Sequence, residues 1–298
     1  RYRDVTGVQT CALPIWCNQY MENRLKEICS VNSEMQEKYY LYCQIKKSLT
    51  ERLRTVPAYF PHFSIHDASH SSNIIKYLSM LLGRDNIEKL SVSDLLVLCV
   101  AAYAHDISMS VSYEMIHEKM TSDEWKETLK KYTKSQQEDL ADIAERLLRF
   151  PEVKKDVIAL DVYSDVLYVI EENFRAEHAK RSAEEILENG DLEKLFGIRM
   201  RNDLAEVCRL HGCGISDVMD LPYEENGIFD DYIHPRFDAA LLALGDLLDM
   251  DTGRFDKEFL RVAAPMPKLS EIHKEKHESI THFLVKNGMI EIKSNCKS

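Results

Sequence analysis

Six residues spread along the chain carry side chains suited to holding a metal ion: His70, the adjacent His105 and Asp106, His178, His211 and Asp246. Imidazole nitrogen combined with carboxylate oxygen is the mixed donor set that Mn, Fe, Zn, Co and Ni accept, whereas Mg prefers oxygen ligands. His105 and Asp106 close the apolar run LLVLCVAAYAHDIS. Ionisable groups beside such a run are costly to bury unless paired or metal-bound. Taken alone, the dipeptide is better explained by a helix end, with Asp106 leaving the helix and His105 complementing its C-terminal dipole. Asp246 sits in AALLALGDLLDMD, where Leu242 and Leu244 argue against a solvated face and Gly245 permits close backbone approach. A buried salt bridge is the competing reading of that carboxylate. Asp249 takes a more exposed register, and it and Asp251 read as helix-end or loop carboxylates.

His178, in FRAEHAKRSAEEI, and His211, in VCRLHG, each follow an amphipathic stretch, where a lone histidine is usually a surface or satisfied core residue. Arg175, Arg181 and Arg209 lie nearby in sequence and have the chemistry to clamp phosphate, although surface ion pairs are the simpler reading. The string HDASH, His66–His70, invites comparison with the HExxH zinc helix. Asp67 reads as a helix N-cap, however, which leaves His66 outside the helix and off the face of His70. His66 remains a candidate to contact the centre or its substrate from the preceding loop.

These residues must be positioned by helices. Asn18–Val56 has the apolar period of one long amphipathic helix ending at Pro57, followed by the aromatic loop PAYFPHFSIHD. A helix over Ala68–Leu82 should stop at Gly83, and a buried helix capped by Ser91 or Ser93 should run to Ala104. Val111–Arg149 reads as two or three charged surface helices, an insertion around the core. Val153–Asn189 reads as helical with a break, with Gly190 as its C-cap, and Leu192–Leu210 as a further helix ended by HGCG. HPRFDAALLALGDLLDMD forms a second buried helix, after a loop holding at most one short helix. Phe255–Val262 and Leu269–His277 read as short helices, and Asn287–Gly288 marks a closing β-hairpin.

Composition agrees with a mostly helical protein: 298 residues include only 10 Gly and 8 Pro. No continuous apolar run reaches the roughly 18–20 residues that span a bilayer. A net charge of −12 disfavours an extended nucleic-acid surface. The 8 cysteines include no CxxC pair, which suits reduced cytoplasmic thiols rather than a disulfide framework or a thiolate zinc site. Val5–Ile15 reads as the in-frame translation of a common sequencing adapter, so Arg1–Ile15 are expected to be a non-native scar. The hairpin at the other end suggests a chain cut at both ends.

Taken in order, the six candidate ligands resemble the HD superfamily of metal-dependent phosphohydrolases. HSSNIIKYLSMLL is similar to the helix of the family's first histidine, LLVLCVAAYAHDIS to the helix ending in His-Asp, and LLALGDLLDMDTGRF to the helix of the last aspartate. The flavour is closest to bacterial HD domains placed beside ATPases of the Hsp90 and histidine-kinase type, the HD-CE-like branch, over about Phe60–Lys293. Two departures are Ser108, where many HD enzymes carry Gly, and Gly245, where a bulkier residue is frequent; neither removes a ligand. The resemblance implies an all-α HD helical bundle at 57–279, preceded by the amphipathic helix at 16–56 and followed by a hairpin region at 280–298. It implies one or two divalent ions. His70, His105, Asp106 and Asp246 would hold the first, and His178 and His211 would complete the second, with Asp106 bridging and catalytic. The implied activity is a phosphohydrolase or phosphodiesterase acting on a nucleotide or related phosphoester. The alternative is a non-catalytic ligand-sensing module coupled to an Hsp90-like ATPase domain in a longer chain. A purely structural helical domain is the weakest of the three readings. The long N-terminal helix offers a surface for homo-oligomer pairing.

Overall fold

The computed structural model describes residues 20–60, 68–149, 159–249, 268–286 and 288–295. The expected scar, His66, Asp67, Asp251 and the expected helix at Phe255–Val262 lie outside the described residues. The single helix expected over Asn18–Val56 is instead two, α1 (Tyr20–Cys29) and α2 (Ser33–Leu53). Between them the backbone of Asn32 is extended, and its side-chain oxygen accepts from Met35 N at 2.9 Å. A polar cap thus interrupts an apolar period that would otherwise run through. Next come α3 (Ala68–Leu82), which stops at Gly83 with φ 70°, the single turn α4 (Arg84–Ile87) and α5 (Val92–Ala104). The Ser91 hydroxyl caps α5 by accepting from Asp94 N at 2.8 Å.

The charged region forms three helices, α6 (Tyr113–Thr121), α7 (Asp123–Tyr132) and α8 (Glu138–Leu148). They are anchored through Ile116, Trp125, Leu129 and Leu140, which join the main core. The next pair is α9 (Ala159–Glu188) and α10 (Gly190–Arg209). Gly190 does not cap the end of α9 as expected. Asn189 instead caps the start of α10, accepting from Asp191 N and Leu192 N at 3.0 Å each. A positive φ of 71° at Gly197 kinks α10. The loop beyond holds α11 (Ile215–Met219) and an unexpected two-residue ladder of β1 (Glu225–Asn226) with β2 (Tyr232–Ile233). Helix α12 (Pro235–Leu248) starts with Pro, whose missing N–H costs nothing there. The chain closes with α13 (Lys268–Glu278) and the antiparallel hairpin of β3 (Ile280–Lys286) and β4 (Met289–Ser294).

The bundle is organised around α5, every residue of which is buried. The window Val92–Met109 is apolar enough by composition to span a bilayer, but it is 94% buried inside the protein and serves as the central core helix. α1, α2, α3, α10 and α12 pack around it. α12 comes close to α3 at Gly245: a Cβ there would lie 2.9 Å from Ile74 Cγ2 and 3.1 Å from Leu78 Cγ. The hairpin packs on this same pair of helices. Phe283 meets Tyr77 edge to face at 5.2 Å, Val285 is buried with Tyr77 and Leu248, and Gly288 N donates to Leu81 O at 2.9 Å.

Candidate metal centre

Helix ends converge where the polar residues interrupt the core. His70 stands in the first turn of α3, and His105 and Asp106 leave the C-terminus of α5. His178 projects from α9, His211 follows α10, and Asp246 and Asp249 close α12. Each element has its own reason to end or turn there. α5 exhausts its apolar run, α10 gives way to the Gly212 and Gly214 turn, and α12 breaks at Asp249, whose ψ of 66° is not helical.

Asp106 lies at the middle of the cluster and turns its two oxygens in different directions. Oδ2 is 3.1 Å from His105 Nε2 and 3.8 Å from His70 Nε2. Oδ1 is 3.3 Å from His178 Nε2 and 3.8 Å from His211 Nε2. Asp246 Oδ1 is 3.1 Å from His70 Nε2, on the first of these two sides. The opposite nitrogen of every ring faces an acceptor. His70 Nδ1 meets Asp249 Oδ2 at 2.6 Å, His105 Nδ1 meets Ala101 O at 3.2 Å, His178 Nδ1 meets Arg175 O at 2.7 Å and His211 Nδ1 meets Cys208 O at 2.6 Å. Such acceptors hold a proton on Nδ1 and turn Nε2 inward, where a metal ion would displace any proton it carries. The Nε2 atoms of His178 and His211 stand 3.0 Å apart, close enough to share a proton or a cation. His105 Nε2 makes no hydrogen bond even though the Asp106 carboxylate is adjacent. Donor atoms of His70, His105 and Asp246, and those of His105, Asp106 and His211, lie within 4.8 Å of one another. The cluster is therefore able to hold a metal ion.

The electrostatics fit cation binding. Burial works against a charged His105, but Asp106 and then Asp246 outweigh it and raise the imidazole to about 9. Burial, with His105 beside it, lowers His211 to about 4. Burial pushes Asp246 up, yet the hydrogen bond to His70 and the charge of His105 hold it well below the usual carboxylate range. A cluster that holds a proton on His105 and refuses one on His211 is one in which a cation competes with protons for the same lone pairs. The side chains of Asp246 and His178 are 27% and 25% exposed, whereas those of His70, His105, Asp106 and His211 are nearly enclosed. The cluster thus reaches solvent at Asp246 and at His178.

Comparison with family models returns a match to HD-CE over residues 60–298. The chain belongs to the HD-CE family. No curated protein and no solved structure matches it.

In this HD-CE chain all six residues singled out from the sequence come together. The three arginines do not stand apart from their own helices. Arg175 meets Glu172 at 3.1 Å and Arg209 meets Glu206 at 2.8 Å, both i,i+3 pairs. Arg181 donates to Phe174 O at 2.9 Å and Ser108 O at 3.4 Å, with its guanidinium over the Phe174 ring. Asp249 is the principal correction. It is 1% exposed, not the outer residue of the pair, and its second oxygen accepts from Asn73 Nδ2 at 3.0 Å. The available signal was spacing: Asp246 and Asp249 are three apart, as are His70 and Asn73, so each pair shares a helix face.

Proposed function

We propose that this HD-CE chain is a metal-dependent phosphohydrolase or phosphodiesterase acting on a nucleotide or related phosphoester in the cytoplasm. The supporting observation is the convergence of four Nε2 atoms on the carboxylates of Asp106 and Asp246. In this reading His70, His105, Asp106 and Asp246 hold one divalent ion. His178 and His211 would, together with Asp106, hold a second. Such ions, when bound, lower the pKa of water and draw charge from a phosphoryl oxygen. The chain's own part is to fix the ring orientations, exclude water on the core side and leave Asp246 and His178 open to a phosphoester. Arg175, Arg181 and Arg209, as phosphate contacts, would have to give up their present partners, and His66 would contact the centre from its loop. Mn, Fe, Zn, Co and Ni suit these donors better than Mg.

Metal analysis of the purified chain and of Asp106→Ala, followed by phosphate release from a nucleotide panel with and without chelator, tests the reading. Bound metal in the wild type, none in the variant and chelator-sensitive release are expected. A wild type that carries no metal after reconstitution would overturn it. The second reading, a ligand-sensing module coupled to an Hsp90-like ATPase domain, draws support from the hairpin. That hairpin packs on α3 and the end of α12, the elements of His70, Asp246 and Asp249. It predicts metal and nucleotide binding without turnover.

A further inference from the structure

Two residues beyond Asp106, Ser108 is completely buried, and its polar atoms are spent on one turn of α9. Its hydroxyl donates to His178 O at 2.8 Å and accepts from Ser182 Oγ at 3.1 Å. Its amide donates to Ser182 Oγ at 3.2 Å, and its carbonyl accepts from Arg181 at 3.4 Å. Ser182 is likewise completely buried. These bonds link the short 3-10 turn after Asp106, Ile107–Met109, to the stretch of α9 that bears His178. Buried hydroxyls satisfied so fully are held in one geometry, since any shift strands a donor or acceptor away from water.

We propose that Ser108 and Ser182 are positioning residues that set the spacing of Asp106 Oδ1 from His178 Nε2, and so the affinity of the second half of the centre. The inference rests on the metal-binding reading above. The spacing at stake, 3.3 Å between two donor atoms, sets how far each would stand from a shared ion, and metal–ligand distances tolerate only about 0.2 Å of error. His178 needs such a brace because its flank is open to solvent and lacks packing on that side. Of the first half's ligands, His70, His105 and Asp246 belong to other elements, so that half meets the tie only through Asp106, which is also fixed by the end of α5. Nor does α9 depend on it for attachment to the core, where Val169, Ile170, Phe174, Ala183 and Ile186 are buried.

The experiment is calorimetric titration of the full chain with Co(II), with the visible absorption of the bound ion followed in parallel. The wild type is expected to bind two classes of ion. Ser108→Ala should leave the first class within about twofold and weaken the second about 10- to 100-fold, the cost typical of removing a group that orients a ligand. Ser182→Ala should do the same and serves if Ser108→Ala does not fold. Ser79→Ala, which removes a buried serine hydroxyl donating to Ile75 O at 2.7 Å, should change neither class. A folded Ser108→Ala or Ser182→Ala with an unchanged second class, or with equal losses in both, overturns the inference. A wild type that binds a single ion also overturns it but leaves a metal centre standing. One that binds none removes the reading beneath it as well.

Discussion

An imidazole offers one lone pair, and the acceptor behind the ring decides which nitrogen carries it. Three of the four rings use backbone carbonyls for this, and His70 uses the buried carboxylate of Asp249. Asp249→Asn should therefore weaken metal binding about 10- to 100-fold while preserving the fold, as measured by titration calorimetry and circular dichroism. An unchanged affinity would show that Asp249 does not orient the ring. A second carboxyl behaves differently. Asp238 is fully buried with neither oxygen hydrogen-bonded, and burial, then Asp94, raises its pKa well above 3.8. The folded protein keeps a proton there that the unfolded chain releases, so stability falls as pH climbs above 3.8 towards the folded value. Asn copies the protonated acid, so Asp238→Asn should raise the Tm, and by more at pH 8 than at pH 5. An equal change at both values would count against this. His105, Asp106 and Asp246 were legible because ionisable side chains beside apolar runs are conspicuous, whereas His178 and His211, on polar amphipathic stretches, stood out only through the resemblance of the whole ordered set to the HD pattern. Asp249 was misjudged because its burial depends on α12 ending at that residue, and the hydrogen bonds of Ser108 were out of reach because its hydroxyl's partners lie on a distant helix.

Among the elements, the pairing of α3 with α12 controls whether His70 meets Asp246. Gly245 makes that pairing possible, and its role was readable from its place among leucines. Gly245→Ala should push Ile74 and Leu78 aside, destabilise the protein by about 1–3 kcal/mol as overpacking does, and weaken metal binding. Thermal unfolding and metal titration check both, and a variant as stable as wild type would show that α12 shifts freely. Helix existence was legible from apolar period, whereas boundaries were lost where a single polar side chain decides them. Asn32 and Asn189 each start a helix by side-chain capping, information that hydropathy does not carry. The short β1–β2 ladder was missed for a related reason. It depends on the Asp231 carboxylate, which accepts from Ser93 N at 2.9 Å and from the Ser93 hydroxyl across the fold.

Across the whole molecule, the all-α architecture followed from composition and period, but the convergence of distant residues did not. His70 and Asp249 are 179 residues apart and in hydrogen-bond contact. A cluster assembled from α3, α5, α9, α10 and α12 exists only when the bundle is complete, so an ion that binds it stabilises the global fold. At a free concentration 100 times its dissociation constant the gain is about 2.7 kcal/mol. Adding Mn or Co to the chelated protein should raise the Tm, and Asp106→Ala should remove that rise. A rise that persists in Asp106→Ala would place the binding elsewhere.

The way Asp106 divides its oxygens has an implication for how such a centre fills. The side with His70 and His105 has Asp246 as well as Asp106, whereas the side with His178 and His211 has only a share of Asp106. An ion arriving first is expected on the richer side, where it consumes most of the negative charge available to a second. For a centre of two ions, loading is then expected to be ordered and anticooperative, with singly filled molecules dominating at limiting metal, which titration calorimetry would show as two separated steps.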